Sequence, residues 1–179
     1  MNSMKIRIPK REEAASMNAF FRTVITDTFA KEGLNDHAED LENEIESKRL
    51  RLERCFESEG GEVHFLVAEV DGALVGSIEH GPPSSLILEV TDGGYGHLPE
   101  IGTVFVHPAY QRRGIGNSLL EGAFASLRER GIDEFCLDSG YRSAQRIWTK
   151  KFGEPDFRLR DYWGKGEDHM IWKRKVPSP

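Results

Sequence analysis

The sequence predicts a single α/β (α+β) domain whose mixed, mostly antiparallel central sheet is flanked by helices, and three features predict it. Two long apolar stripes recur at three-and-four spacing between residues 11 and 57, the period of amphipathic helices. Directly after Gly60-Gly61 the period drops to two in a pair of runs that flank Asp71-Gly72, a hairpin signal. Strand-like and helix-like runs then alternate along the rest of the chain. At 179 residues the chain is about one ordinary domain long, and the expectation is one domain over 1–179. Hydrophobic residues at 38% and aromatics at 9% are enough for a packed core despite 30% charged residues.

Lys5 to Pro9 alternate and end at proline, as an edge strand does. From about Arg11 to Lys31, Met17, Phe20, Phe21, Val24, Ile25 and Phe29 form one helix face, and Gly33 stops it. A second helix runs from Asp36 to about Glu57, with Ala38, Leu41, Ile45, Leu52 and Cys55 on one side and acidic residues gathered towards its start. "VHFLVAEV" and "ALVGSIEH" are antiparallel neighbours across Asp71-Gly72. Residues 81–100, rich in glycine and proline, read as a long loop with a short strand at Leu86 to Val90. The strand "EIGTVFV" follows, then a helix from Gly114 to about Arg130, the strand "DEFCLD" at 133–138 and a helix from about Ser143 to Phe152. The closing hairpin is "DFRLRDYW", the turn "GKGE" and "DHMIWKRKV".

The most informative stretch is Gln111-Arg112-Arg113-Gly114-Ile115-Gly116, at the mouth of a helix. A helix N-terminus offers N–H groups without intrahelical partners and a partial positive charge, so it attracts anions. Glycines allow a phosphate close to the backbone, and Arg112 and Arg113 add charge-assisted hydrogen bonds. The spacing is not that of a P-loop, since GxxxxGK[ST] is absent, nor of a dinucleotide turn, since Leu119 stands where GxGxxG needs its third glycine. A GxSxG nucleophile elbow fails at Leu120, and there is no HExxH.

Val106-His107-Pro108 followed by Gln111 to Gly116 resembles the acyl-CoA site of the GNAT superfamily, the Gcn5-related N-acetyltransferases, in which a Q/R-x-x-G-x-G/A turn follows a strand ending in V-x-P and opens a long helix. The resemblance extends, more weakly, over the order of elements in most of the chain. It implies a GNAT-like fold and acetyl-CoA as co-substrate. The pyrophosphate of coenzyme A would lie on Gln111, Arg112, Arg113, Gly114, Ile115, Gly116, Asn117 and Ser118, and the pantetheine arm would pair with the backbone of Val104, Phe105 and Val106. In many relatives a later helix carries an asparagine, an alanine and then a tyrosine that protonates the leaving thiolate. Aligned on Ala144, Tyr141 takes the asparagine position and Trp148 the tyrosine position. An indole N–H is far less acidic than a phenol. Tyr141 or Tyr162 would substitute, or the thiolate leaves unaided.

The implied reaction is direct transfer of an acyl group, most simply acetyl, to a primary amine in a ternary complex. An amine with an ordinary pKa of about 10.4 is mostly protonated at neutral pH, so a carboxylate base is useful. Glu100, at the start of the motif strand, corresponds in position to a glutamate used this way by several relatives, and Glu79 is the second candidate. Both also read as ordinary strand-end carboxylates. N–H groups near Phe105 and Val106 are placed to meet charge developing on the carbonyl oxygen. The competing reading is a non-catalytic acyl-CoA-binding sensor or structural subunit.

Thirty acidic against 24 basic residues give a net charge of −6, which disfavours nucleic acid and admits a cationic small-molecule or peptide amine as acceptor. Asp92 and Glu100 are candidates for the acceptor side, as are Phe20, Phe21, Tyr95 and Trp163, although Phe20 and Phe21 fit a core equally well. Cys55 and Cys136 stand in no metal or disulfide spacing, and no metal is expected. The start "MNSMKIRIPKREEAA" lacks the apolar core of a secretory signal, and no run of eighteen apolar residues occurs. The expected location is cytoplasmic without membrane contact, with a homodimer left open.

Overall fold

A computed structural model describes residues 3–179. Its strands are Met4–Arg7 (β1), His64–Val70 (β2), Ala73–Gly81 (β3), Glu100–Val106 (β4), Glu134–Ser139 (β5), Phe157–Leu159 (β6) and His169–Lys175 (β7). Its α-helices are Ala14–Lys31 (α1), Ala38–Glu57 (α2), Ser85–Val90 (α3), Ile115–Glu129 (α4) and Arg142–Phe152 (α5). The chain forms two compact units, one of residues up to Gly81 with Thr103–Ser126, the other of Pro82–Gly102 with Leu127–Pro179. The strand β4 contributes residues to each. The elements make a mixed sheet of seven strands flanked by helices, the expected fold class.

In the first unit the strands follow the order β1-β2-β3-β4. The β2–β3 hairpin turns at Asp71 and Gly72, with φ of 49° and 85°. Two consecutive positive φ values are what a tight two-residue hairpin requires, and Asp-Gly supplies them at low cost. All six apolar residues expected on the α1 face are buried, so Phe20 and Phe21 are core residues. Phe21 packs with its ring 6.0 Å from those of Phe65 and Phe105. On α2 the buried residues are Ile45, Leu52 and Cys55, while Ala38 at the first turn stays exposed. The helix α4 comes down on β3 at Gly76, where an added Cβ would lie 2.9 Å from Leu119 Cδ1 and 3.1 Å from Ile115 Cγ2. A glycine in this strand is what lets the helix, and the turn that starts it, approach so closely.

In the second unit the order is β4-β5-β7-β6, with β4 and β5 parallel and the other pairs antiparallel. The expected strand at Leu86 to Val90 is instead the helix α3. The Ser84 hydroxyl accepts from the Ile87 N–H at 3.4 Å and caps it, and Ile87 is buried with Leu98, Cys136 and Ile171. Five residues of which four are apolar are ambiguous by period alone, and the serine before them decides for helix. The closing hairpin is shorter than expected: β6 has three residues, and 160–168 form a loop. Trp148 is buried and stacked on Phe152 at 5.8 Å. Ile147, its neighbour on α5, is exposed.

Candidate active site

The turn between β4 and α4 has the conformation that its glycines and arginines allow. His107 N–H bonds to Val75 O at 2.8 Å and holds the end of β4 against β3, after which Pro108–Tyr110 make a short 3-10 turn. Arg112 has φ of 64° and Gly114 φ of 81°. Two left-handed residues around Arg113 reverse the chain just before α4 begins at Ile115. The i→i−4 ladder of α4 has Ser118 N–H bonded to Gly114 O at 3.1 Å, so the N–H groups ahead of it precede the ladder. Ile115 is buried and anchors the turn from inside, while Gln111, Arg112, Arg113, Gly114 and Asn117 are exposed and Gly116 and Ser118 half-buried. A Cβ on Gly114 would meet nothing within 4 Å, and one on Gly116 only Val106 Cγ2 at 3.9 Å, so the space over the turn is open. Gln111 is oriented through Nε2 to Val106 O at 3.3 Å and by Lys31 Nζ, which donates to its Oε1 at 3.4 Å. The Arg113 guanidinium lies 5.0 Å from the Tyr110 ring centre. The turn is thus a cationic, glycine-lined helix entrance held from beneath.

Within β4, Thr103 has φ of 50° although it is β-branched and lies inside a strand. Such a conformation persists only where the surroundings hold it. Here the Ser77 hydroxyl donates to Thr103 O at 2.9 Å, and the Thr103 hydroxyl donates to Glu79 Oε2 at 2.8 Å. Glu79 is only 2% exposed, and Arg51 Nε from α2 reaches its Oε1 at 2.6 Å. Both oxygens of Glu79 are therefore engaged inside the first unit. The half-buried residues Val104, Phe105 and Val106 follow directly.

Glu100, in the second unit, differs. It stands opposite Cys136 in the parallel register of β4 and β5, is half-buried, and accepts the Ser84 N–H on Oε1 at 3.2 Å. Its charge, after the larger effect of burial, helps to push the Cys136 thiol well above the usual range. Tyr141, half-buried, is the residue before α5, its N–H bonded to Ser139 Oγ at 3.1 Å and its carbonyl accepting the Gln145 N–H at 2.9 Å. Asp92 is exposed, whereas Tyr95 is half-buried against Phe157, and burial raises its phenol above the ordinary value.

One cluster of the second unit was not expected from the sequence. His169, buried on β7, meets Asp138 Oδ2 through Nε2 at 2.8 Å and receives the Trp163 indole N–H on Nδ1 at 3.1 Å. These residues lie 31 and 6 positions from His169, in no recurrent spacing, and Trp163 stood out in the sequence only as a candidate for the acceptor side. Among the described residues no group of three or more His, Cys, Asp or Glu is placed to hold a metal ion. No described helix is long and apolar enough to cross a membrane.

Comparison with known proteins agrees with this architecture. The sequence model of the acetyltransferase (GNAT) family matches residues 29–153. A search of curated protein sequences finds no match. Among solved structures, the chain is similar to PaiA N-acetyltransferase from Thermoplasma acidophilum in complex with coenzyme A, at 21% identity and a TM-score of 0.70 over 97% of this chain and 99% of that one. It is similar to ribosomal-protein-alanine N-acetyltransferase from Brucella melitensis at 22% identity and a TM-score of 0.68, over 96% and 99% of the two chains. It is also similar to YncA from Salmonella typhimurium, solved with its cofactor acetyl-CoA, at 20% identity and a TM-score of 0.64 over 98% and 95%.

Proposed function

The chain belongs to the acetyltransferase (GNAT) family, and on that premise we propose that it transfers the acetyl group of acetyl-CoA to a primary amine by direct attack within a ternary complex. The observation that carries this reading is the β4–α4 turn, with φ of 64° at Arg112 and 81° at Gly114, open space over Gly114 and two exposed arginines at a helix N-terminus. These residues fit a pyrophosphate, since a dianion gains from the helix dipole, from backbone N–H groups and from guanidinium donors at one place. Gln111 to Ser118 are the proposed phosphate-binding residues, and the backbone of Val104, Phe105 and Val106 pairs with the pantetheine amides. The co-substrate supplies an acetyl group already activated as a thioester.

Glu100 is the proposed base, taking a proton from the acceptor ammonium directly or through water before attack. Its half-buried position and its hydrogen bond from a backbone N–H, rather than from a guanidinium, favour it over Glu79. Glu79 then holds Thr103, and through it the irregular part of β4, in place. Tyr141 is the proposed donor to the departing thiolate, because Trp148 is buried against Phe152 and its N–H is a poor acid. The acceptor is a small-molecule or peptide amine, and the net charge of −6 favours a cationic one.

The buried Trp148 also supports the alternative, a non-catalytic acyl-CoA-binding sensor. A thiol-release assay with acetyl-CoA and a panel of diamines, aminoglycosides and peptide N-termini separates the two. The transferase releases thiol with at least one amine. A protein that binds acetyl-CoA and releases none with any of them is the sensor.

A further inference from the structure

The loop 160–168 is tied down at several points. Asp161 N–H bonds to Asp168 Oδ1 at 2.9 Å, Gly166 N–H to Asp161 Oδ1 at 2.6 Å, and Trp163 N–H to Glu167 O at 3.1 Å. Two more bonds fasten it to α5: Arg142 Nη2 to Gly166 O at 3.5 Å and Gln145 Nε2 to Asp168 O at 2.8 Å. Yet the loop carries Trp163 and Tyr162 at 55% and 46% exposure, with rings 4.8 Å apart. One side-chain bond orients the indole, Trp163 Nε1–H to His169 Nδ1. A Cβ on Gly140 would lie 2.8 Å from Trp163 Nε1 and 3.2 Å from His169 Nδ1, so only a glycine leaves room for this contact beside Tyr141.

The indole can only donate, so His169 Nδ1 carries no proton in this arrangement. The ring proton then sits on Nε2 and is donated to Asp138. Imidazolium has a proton on both nitrogens. With Nδ1 protonated, two donors would face each other across 3.1 Å, while Asp138 would hold the new charge in place. The Tyr162 ring centre lies 5.8 Å from that of His169. Leu159 is the residue opposite on β6, and the charged residues of the loop are Arg160, Asp161, Lys165, Glu167 and Asp168, with Arg142 at the start of α5. Of these, Asp161 and Asp168 accept the backbone bonds given above, and Arg142 donates to the loop.

We propose that His169 is a positioning residue: neutral and fixed by Asp138, it latches Trp163 and the loop 160–168 beside Tyr141, and its protonation opens the latch. Resting on the acyl-transfer reading, Trp163 thereby becomes a side chain that acts on acceptor binding. Of the side chains in this arrangement, only the imidazole can present an acceptor to the indole in one protonation state and a donor in the other.

Trp163 fluorescence tests the latch without any acceptor. The signal is isolated by subtracting that of Trp163→Phe, since Trp148 and Trp172 are buried. Between about pH 8 and pH 5 the wild type is expected to shift its emission and gain acrylamide quenching as the indole is freed. His169→Gln offers one acceptor and one donor but cannot titrate, so it is expected to keep the high-pH signal throughout. A wild type without an acid shift, or a shift that persists in His169→Gln, overturns the latch. With the acceptor found by thiol release, Trp163→Phe is expected to raise its KM by at most about fivefold, since the acceptor must then order a loop that has lost its bond to His169, with a smaller change in kcat. An unchanged KM overturns the positioning role. Absence of thiol release with every amine would defeat the transferase reading, while the fluorescence arm would still decide the latch.

Discussion

Thr103, a β-branched residue at φ of 50° inside β4, gives its hydroxyl to Glu79 at 2.8 Å, and Glu79 is in turn paired with Arg51 at 2.6 Å. A carboxylate that is 2% exposed thus connects α2 through β3 to the irregular point of β4.

Glu79→Gln is therefore expected to act on folding first. It leaves the Arg51 guanidinium facing a neutral amide, and breaking a buried pair from one side costs about 3–5 kcal/mol. Urea unfolding should show a loss of this order, with turnover per folded molecule within a few-fold of wild type. Intact stability together with a large loss of turnover would make Glu79 the base.

Glu100→Gln has the opposite expected signature. Glutamine keeps the size and can still accept the Ser84 N–H, so stability and acetyl-CoA affinity should change little. Turnover near neutral pH should fall on the order of a hundredfold, and part of it should return as pH rises and the acceptor amine deprotonates unaided. A pH–rate profile of the variant superimposable on that of wild type would leave Glu100 as the partner of Ser84 and nothing more.

Gly114→Val separates binding from folding. At φ of 81° a branched residue is strained by about 1–2 kcal/mol, but a Cβ placed there meets no atom within 4 Å beyond the chain neighbours. The side chain would instead occupy the space over the turn. Calorimetry should find coenzyme A affinity reduced tenfold or more beside a modest fall in the unfolding midpoint. Equal losses in both would identify a packing glycine.

Acid should weaken the attachment of β1. Arg7 grips Glu13 with two bonds, at 2.6 and 3.0 Å, and also reaches Glu69 at 2.9 Å. The Arg7 hydrogen bonds hold the Glu13 carboxyl at about 2 against an ordinary 4.5. A carboxyl depressed on folding contributes its full stability above the unfolded value, and that contribution is lost as pH falls through the window from about 4.5 to about 2. After allowance for solvent screening, Glu13→Gln should cost about 1 kcal/mol at neutral pH. The difference from wild type should close as the pH approaches 2. A gap that stays constant down to that pH would mean that the charge of the Glu13 carboxylate contributes nothing to it.

What the sequence determined by itself were the features that short segments dictate. The α1 stripe from Met17 to Phe29, the Asp71-Gly72 hairpin and the passage from β4 through Arg112 and Gly114 into α4 were all legible. Each depends on which φ a residue tolerates or which side of a helix or strand is apolar, and both properties are local. The roles of the ionisable groups were decided by tertiary structure. Glu79 and Glu100 read alike as strand carboxylates until α2 brought Arg51, 28 residues earlier in the chain, onto one of them and the start of α3 met the other. Ser84 turned an apolar run into a helix, β7 brought His169 to Asp138 across 31 residues, and packing took Trp148 inward while leaving Ile147 in solvent. A charged group's chemistry depends on the dielectric and the partner it meets on folding, and those partners came from distant parts of the chain.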